Sequence, residues 1–330
     1  MGLIRRQFLH LAAGAVALPA VSRSARAQAY PTRPITVVVP YAAGGATDVL
    51  TRIVSEPMSR TLGQRFVIEN VVGAGGTTGT TRVMRAPPDG YTITMGGVGT
   101  HAASVGLFPN LAYKPDVDFE PVGMTTVFAV VVAGRKGLPP GNAVEFAAYV
   151  KASGDKLNMA HAGVGSATHF TCLLLNAMLG AKPTLVPFGG AAPAINAVLA
   201  EQVDYMCVSV PDVAQHVTSG TVKAFMIGSP ERSPFLPTVP SSREVGLEAF
   251  QVPAWNGLFA PKGTPKPILD RLTDALDKAL DDESTRRRLT DIGGEIPPKA
   301  QRGQDHLGAL VKSEIARWTP IINSANIIAE

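Results

Sequence analysis

Only two cysteines, Cys172 and Cys207, occur in the 330-residue chain, and no metal-ligand spacing accompanies them. The six histidines are scattered, none in an H-x-x-x-H pair or beside a cysteine, so zinc and redox-motif readings lose their footing. In an oxidising compartment the two cysteines can form a disulfide; two buried thiols fit the sequence equally well. Aromatic residues make up only 6 % of the chain, so the core must be built from Val, Ala, Leu and Ile. Beyond the first 29 residues there is no apolar run near the ~20 residues that a membrane span requires. The phosphate-binding pattern G-x-x-x-x-G-K-[ST] is absent, and no glycine cluster reaches G-x-G-x-x-G. The formal charge of +4 also disappears on inspection. Arg5, Arg6, Arg23 and Arg26 lie in a leader without acidic residues, leaving 26 basic against 26 acidic side chains. The basic isoelectric point therefore belongs to the leader and implies no nucleic-acid surface.

That leader, residues 1–29, reads as a twin-arginine-type export signal. Arg5-Arg6-Gln-Phe8-Leu9 is followed by a mildly apolar run, Leu11–Ala20, and by small-x-small cleavage patterns ending at Ala27 or Ala29. A periplasmic protein cleaved there is expected. Some 300 remaining residues favour two domains.

What is present is organised around Ile35-Thr-Val-Val-Val-Pro40-Tyr-Ala-Ala-Gly44-Gly45-Ala-Thr-Asp48. Four aliphatics and a Thr predict a strand buried on both faces. Pro40 ends it, the glycines turn the chain, and apolar residues from Val49 to Leu62 fall at helical spacing. Thr47 and Asp48 are expected to cap that helix, and Gly45 to need the backbone freedom of glycine. A strand, glycine turn and helix N-terminus offer unpaired N–H groups and a positive dipole end to an anion. Without a phosphate-loop lysine, a carboxylate suits the turn better than a phosphate. The arrangement recurs downstream. Gly96-Gly97-Val-Gly99-Thr100-His101 follows the strand Tyr91–Met95, with His101 expected at a helix start or pocket rim. The strand Lys156–Ala160 delivers His161-Ala-Gly163-Val-Gly165-Ser166-Ala-Thr168-His169 to another helix. Thr126–Ala133 reads as one long apolar strand crossing into a second domain, and Phe250–Ala260 as the return.

From Pro31 to Asp48 the wording resembles the opening of mature tripartite tricarboxylate transporter receptors, also called the Bug family. The resemblance continues through Leu111–Val122, Thr184–Ile195, Val203–Pro211 and Val252–Pro265, and so spans nearly the whole mature chain in order. It departs at Val71-Val72, where Arg-Pro is usual, at Phe188-Gly189 in place of Tyr-Lys, and at Val208-Ser209 in place of Asp-Asn. The resemblance implies an α/β, two-lobed type II periplasmic binding protein with its ligand cleft between the lobes. Residues 30–130 and 251–330 would form the first lobe and 131–250 the second. It also implies that a ligand carboxylate is held, partly through water, by the first glycine turn: Tyr41, Ala42, Ala43, Gly44 and Gly45, with Thr47 and Asp48. The facing turn would supply Gly165, Ser166, Thr168 and His169, with Phe188 and Ser209 beside them. No arginine falls in any of these loops, so backbone N–H groups and hydroxyls must carry recognition.

The expected function is a receptor for a small organic carboxylate, a monomer without cofactor. It would pass its ligand to the membrane permease subunits of a tripartite tricarboxylate transporter or, alternatively, to a sensor kinase. An enzyme is disfavoured, because Ser166 is flanked two residues away by Val164 and Thr168 and lacks the glycine elbow of a nucleophile.

Overall fold

A computed structural model describes residues 30–324. The export signal read at residues 1–29 lies outside the described residues. The chain first lays down β1 (Ile35–Val39), α1 (Ala46–Leu62), β2 (Phe66–Asn70), α2 (Thr77–Met84), β3 (Thr92–Gly97) and β4 (Phe119–Phe128). It then builds β5 (Val130–Arg135), α3 (Ala143–Ser153), β6 (Asn158–His161), α4 (Ala167–Leu179), β7 (Thr184–Pro187), α5 (Ala191–Leu199), β8 (Tyr205–Ser209), α6 (Val210–Thr218) and β9 (Val222–Ile227). The chain returns through β10 (Ala254–Pro261) and ends in α7 (Lys266–Asp281), α8 (Glu283–Asp291) and α9 (Gln304–Ser324).

Two five-stranded sheets result, ordered β2-β1-β3-β10-β4 and β7-β6-β8-β5-β9. In the first, β1 runs parallel to β2 and β3, while β10 is antiparallel to β3 and β4. The second repeats the pattern, with β6 parallel to β7 and β8, and β5 antiparallel to β8 and β9. The interior strand β1, between β2 and β3, is covered on both faces, as its aliphatic run requires. Ile35 and Val37 pack into one buried cluster with α1 and α7, and Val38 packs into another.

Two local expectations are corrected. The apolar run Thr126–Ala133 is not one strand: it breaks at Ala129, where the chain leaves β4 in one sheet for β5 in the other. Hydropathy cannot mark such a break, because the residues on both sides of it are apolar. Helix α1 begins at Ala46 rather than Val49, with Gly45 as N-cap in an extended conformation (φ −78°, ψ 165°). Thr47 and Asp48 therefore sit inside its first turn. The left-handed residue of the turn is Gly44, at φ +84°, and it is there that glycine is needed.

Among the described residues, no helix is long and apolar enough to cross a membrane. Cys172 on α4 and Cys207 on β8 are joined in a disulfide across a Cα separation of 5.3 Å.

Candidate functional site

The two sheets face each other at the ends of their parallel strands. Ala42 N donates to Gly189 O across the gap at 3.1 Å, and Gly75 abuts the Val164–Ser166 turn of the other side. Between them lies a cavity of about 80 Å³. It is lined from the first sheet by Tyr41, Ala42, Gly45–Asp48, Gly97–Gly99, Phe128 and Ala254–Asn256. The second sheet contributes Val130, Ala162, Ser166–Thr168, Thr171, Ala191, Cys207–Ser209 and Asp212.

Of the residues expected from the sequence, Tyr41, Ala42, Gly45, Thr47, Asp48, Ser166, Thr168 and Ser209 line this space. Ala43, Gly44, Gly165, His169 and Phe188 do not. Gly44 serves the turn instead, donating its N–H to Asp48 Oδ2 at 2.9 Å. At Gly165, φ is +83° and an added Cβ would strike the Phe108 ring, so the residue is a tight contact between the two halves. His169 is buried behind its turn, where Nδ1 accepts from Gly165 N at 3.1 Å and the ring lies 4.3 Å from that of His161. Phe188 packs against the apolar cluster of the second sheet. His101, expected at a helix start or a pocket rim, lies in the short helical segment Gly99–Ala103 that follows β3, but is wholly buried and stacked 3.9 Å from Phe259 rather than on a rim.

Asp48 lines the cavity, but its carboxylate is fully engaged. It accepts from Gly44 N, from Asn70 Nδ2 at 3.0 Å and from Arg52 Nε and the guanidinium terminus. Burial pushes its pKa up, yet the hydrogen bonds from Arg52, Gly44 and Asn70 outweigh burial and hold it below the ordinary carboxylate range. Asn70 also donates to Tyr41 O at 3.0 Å, so Asp48 and Asn70 together shape the glycine turn. Across the cleft, Ser166 is the N-cap of α4: Oγ accepts from His169 N at 3.3 Å and lies 3.0 Å from Thr168 Oγ1. Thr168 Oγ1 in turn accepts from Ala162 N at 2.8 Å.

The sequence reading missed two groups. The first is Asp212, in the opening turn of α6. Its Oδ1 accepts from Ala46 N at 2.6 Å across the cleft, and Oδ2 accepts from Ser209 Oγ. Burial raises the Asp212 pKa against the lowering effect of those two donors. The only available signal was an acid just past a strand end, in Ser209-Val-Pro211-Asp212. The second group is Thr171, Trp255 and Asn256. Thr171 Oγ1, Trp255 Nε1 and Asn256 Nδ2 are buried and have no hydrogen-bond partner among the described residues. Buried polar groups are nearly always paired, so three orphans beside one cavity point to a polar occupant. Trp255 and Asn256 reach the cavity only because β10 returns between β3 and β4, and Thr171 meets them there from α4.

The cavity wall contains no Lys, Arg or His, and its two ionisable carboxylates are Asp48 and Asp212. Gly45, Ala46, Thr47 and Asp48 at the start of α1 have N–H groups without intrahelical acceptors, and of these Ala46 is taken by Asp212. The site can therefore bind a polar anion by N–H and hydroxyl donors. Among the described residues, Ser166 Oγ contacts only Thr168 Oγ1 and the helix backbone, with no base beside it.

Two α/β halves joined by crossing strands enclose this small cavity. Residues 50–327 match the tripartite tricarboxylate transporter family receptor. The chain belongs to this family of periplasmic solute-binding receptors, which are not enzymes. It is similar to MatC of Rhodopseudomonas palustris, solved with bound malate, at 49 % identity and a TM-score of 0.87, covering 89 % of this chain and 100 % of that one. It is also similar to the periplasmic binding protein BugD, at 40 % identity and a TM-score of 0.87, covering 90 % and 99 % of the two chains. BugT of Bordetella pertussis is 30 % identical, over 93 % of this chain and 94 % of that protein.

Proposed function

We propose that this chain is an exported receptor that binds a small dicarboxylate between its lobes and hands it to the membrane permease subunits of a tripartite tricarboxylate transporter. The lobes are residues 30–130 with 251–330, and residues 131–250. The observation that carries this reading is the pairing of unspent donors at both sides of one cavity. The α1 N-terminus, Trp255 and Asn256 stand on the side of the first sheet, and the Ser166–Thr168 turn and Thr171 on the side of the second. A volume of about 80 Å³ holds on the order of five to eight water-sized positions, which suits an acid with a short carbon chain. The malate bound by MatC is such an acid.

The test is denaturing mass spectrometry on ligand released from purified protein, then titration calorimetry and thermal shift with mono-, di- and tricarboxylates. A short dicarboxylate is expected to bind, adding about 2.7 kcal/mol of stability at a hundredfold excess over Kd. Failure of every organic acid to bind or to shift the melting temperature overturns the reading. Export is tested separately: the mature protein is expected in the periplasm, beginning near Gln28 or Tyr30.

Closure of the lobes around the ligand can be tested at a residue outside the cavity. A Cβ on Gly75 would lie 2.3 Å from Val164 O and 2.7 Å from Ser166 N, backbone atoms of the opposite lobe, at a φ of +60°. Overpacking of this kind costs about 1–3 kcal/mol. Gly75→Val is therefore expected to weaken binding roughly five- to 150-fold and to enlarge the radius of gyration of the ligand-bound form in X-ray scattering. Unchanged affinity together with an unchanged radius would show that this contact does not form on binding.

A further inference from the structure

We infer that Asp212 sets which acids the cleft accepts, favouring a carboxylate that bears a hydroxyl or ammonium group on the adjacent carbon over an unsubstituted acid. The inference rests on the carboxylate-receptor reading above and narrows it.

An acidic side chain on the wall of an acid-binding cavity with no cationic side chain in that wall needs a reason. Among the described residues, Asp212 is not neutralised by an ion pair as Asp48 is: Arg52 contacts Asp48, whereas the donors to Asp212 are Ala46 N and Ser209 Oγ. An ionised carboxylate accepts about four hydrogen bonds, so acceptor capacity remains. Asp212 lies deep in the protein yet keeps part of its surface accessible, and it lines the cavity. That remaining capacity is available to a ligand.

Its position relative to the first glycine turn gives the selectivity. Oδ1 lies 3.7 Å from where a Cβ on Gly45 would stand and takes the N–H of Ala46, one of the donors at the start of α1. A ligand carboxylate using the neighbouring N–H groups of that helix end is brought beside a second carboxylate. An unsubstituted acid places two acceptors of like charge together with no proton between them. A hydroxyl or ammonium group one carbon away supplies the missing donor to Asp212 while the carboxylate keeps the helix N-terminus. Sites that hold a buried acceptor for a ligand donor reject analogues lacking it, because the acceptor is left unpaired.

The experiment is titration calorimetry with acids of three to six carbons, each compared with its 2-hydroxy and 2-amino counterparts; succinate, malate and aspartate form the four-carbon set. Wild type is expected to bind the hydroxy or amino member at least about tenfold more tightly than the unsubstituted acid. Asp212→Asn keeps an acceptor for Ala46 N but removes the charge and adds a donor. It is expected to bring the members of a set within about threefold, chiefly by tightening the unsubstituted acid. Wild type binding all members of a set within threefold overturns the inference without any variant, as does an Asp212→Asn protein that folds and keeps the wild-type ratio. If no acid of any length binds wild type, the receptor reading fails as well. If acids bind without regard to the 2-substituent, only the role of Asp212 fails.

Discussion

Acidification from pH 6.5 to 4.5 is expected to remove on the order of 5 kcal/mol of folding stability, through two histidines that the fold buries uncharged. His101 is wholly buried, and His169 is 2 % exposed. Burial lowers both pKa values from 6.5 to about 3, with the neighbouring His161 adding to the shift at His169. Between about 3 and 6.5 the unfolded chain takes up protons that the folded chain refuses, so stability is full above 6.5 and falls as the pH falls. Each unit below 6.5 costs about 1.4 kcal/mol per histidine, which gives the figure above for two groups over two units. His161 acts in the same direction, because burial lowers its pKa against the opposing effect of the Gly163 backbone. Asp212, displaced upward by burial, keeps its proton more readily in the fold and works against the trend. A loss of this size is comparable with the whole stability of many domains, about 5–15 kcal/mol. Urea unfolding at pH 7.5, 6.0 and 4.5 measures it, and the double variant His101→Gln/His169→Gln should flatten the slope. Equal stability at the three values, or a variant that retains the full slope, would contradict the assignment.

Loss of the Cys172–Cys207 disulfide has the next largest expected effect. The bond closes a loop across a sequence separation of 35 residues, for which the chain-entropy relation gives about 3–4 kcal/mol. For a chain of this size that corresponds to a melting temperature lower by roughly 6–15 °C. The bond also ties together two pieces of the cleft. Cys172 lies in α4, the helix capped by Ser166, and Cys207 itself lines the cavity two residues before Ser209. Cys172→Ala/Cys207→Ala is therefore expected to melt lower and to bind ligand more weakly. Thiol alkylation of denatured wild-type protein should find no free cysteine. Two alkylated thiols, or a variant melting within a degree of wild type, would refute this account.

The legibility of the site divides along a physical line. Strand β1, its glycine turn and the start of α1 are contiguous in the chain, and local rules suffice for them. A doubly covered strand needs an unbroken aliphatic run, and an exposed helix start needs a tight turn. The same holds for the Gly163–His169 turn and its Ser166 cap. Finer detail already escapes such rules. Gly44 rather than Gly45 takes the left-handed conformation, and Asp48 holds the turn through Arg52 and Asn70. Asn70 lies 22 residues away, and no local pattern couples the two.

Composition, the two glycine turns and the run of matching elements thus determined the α/β class, the family and one half of the cleft on each side. Tertiary structure alone decided three things: that His169 and Phe188 turn away from the cavity, that Trp255 and Asn256 enter it from the returning strand, and that Asp212 reaches Ala46 across the gap. The reason is separation along the chain. Ala46 and Asp212 stand 166 residues apart, in different sheets, and their contact exists only because β4 and β9 each hand the chain to the opposite lobe.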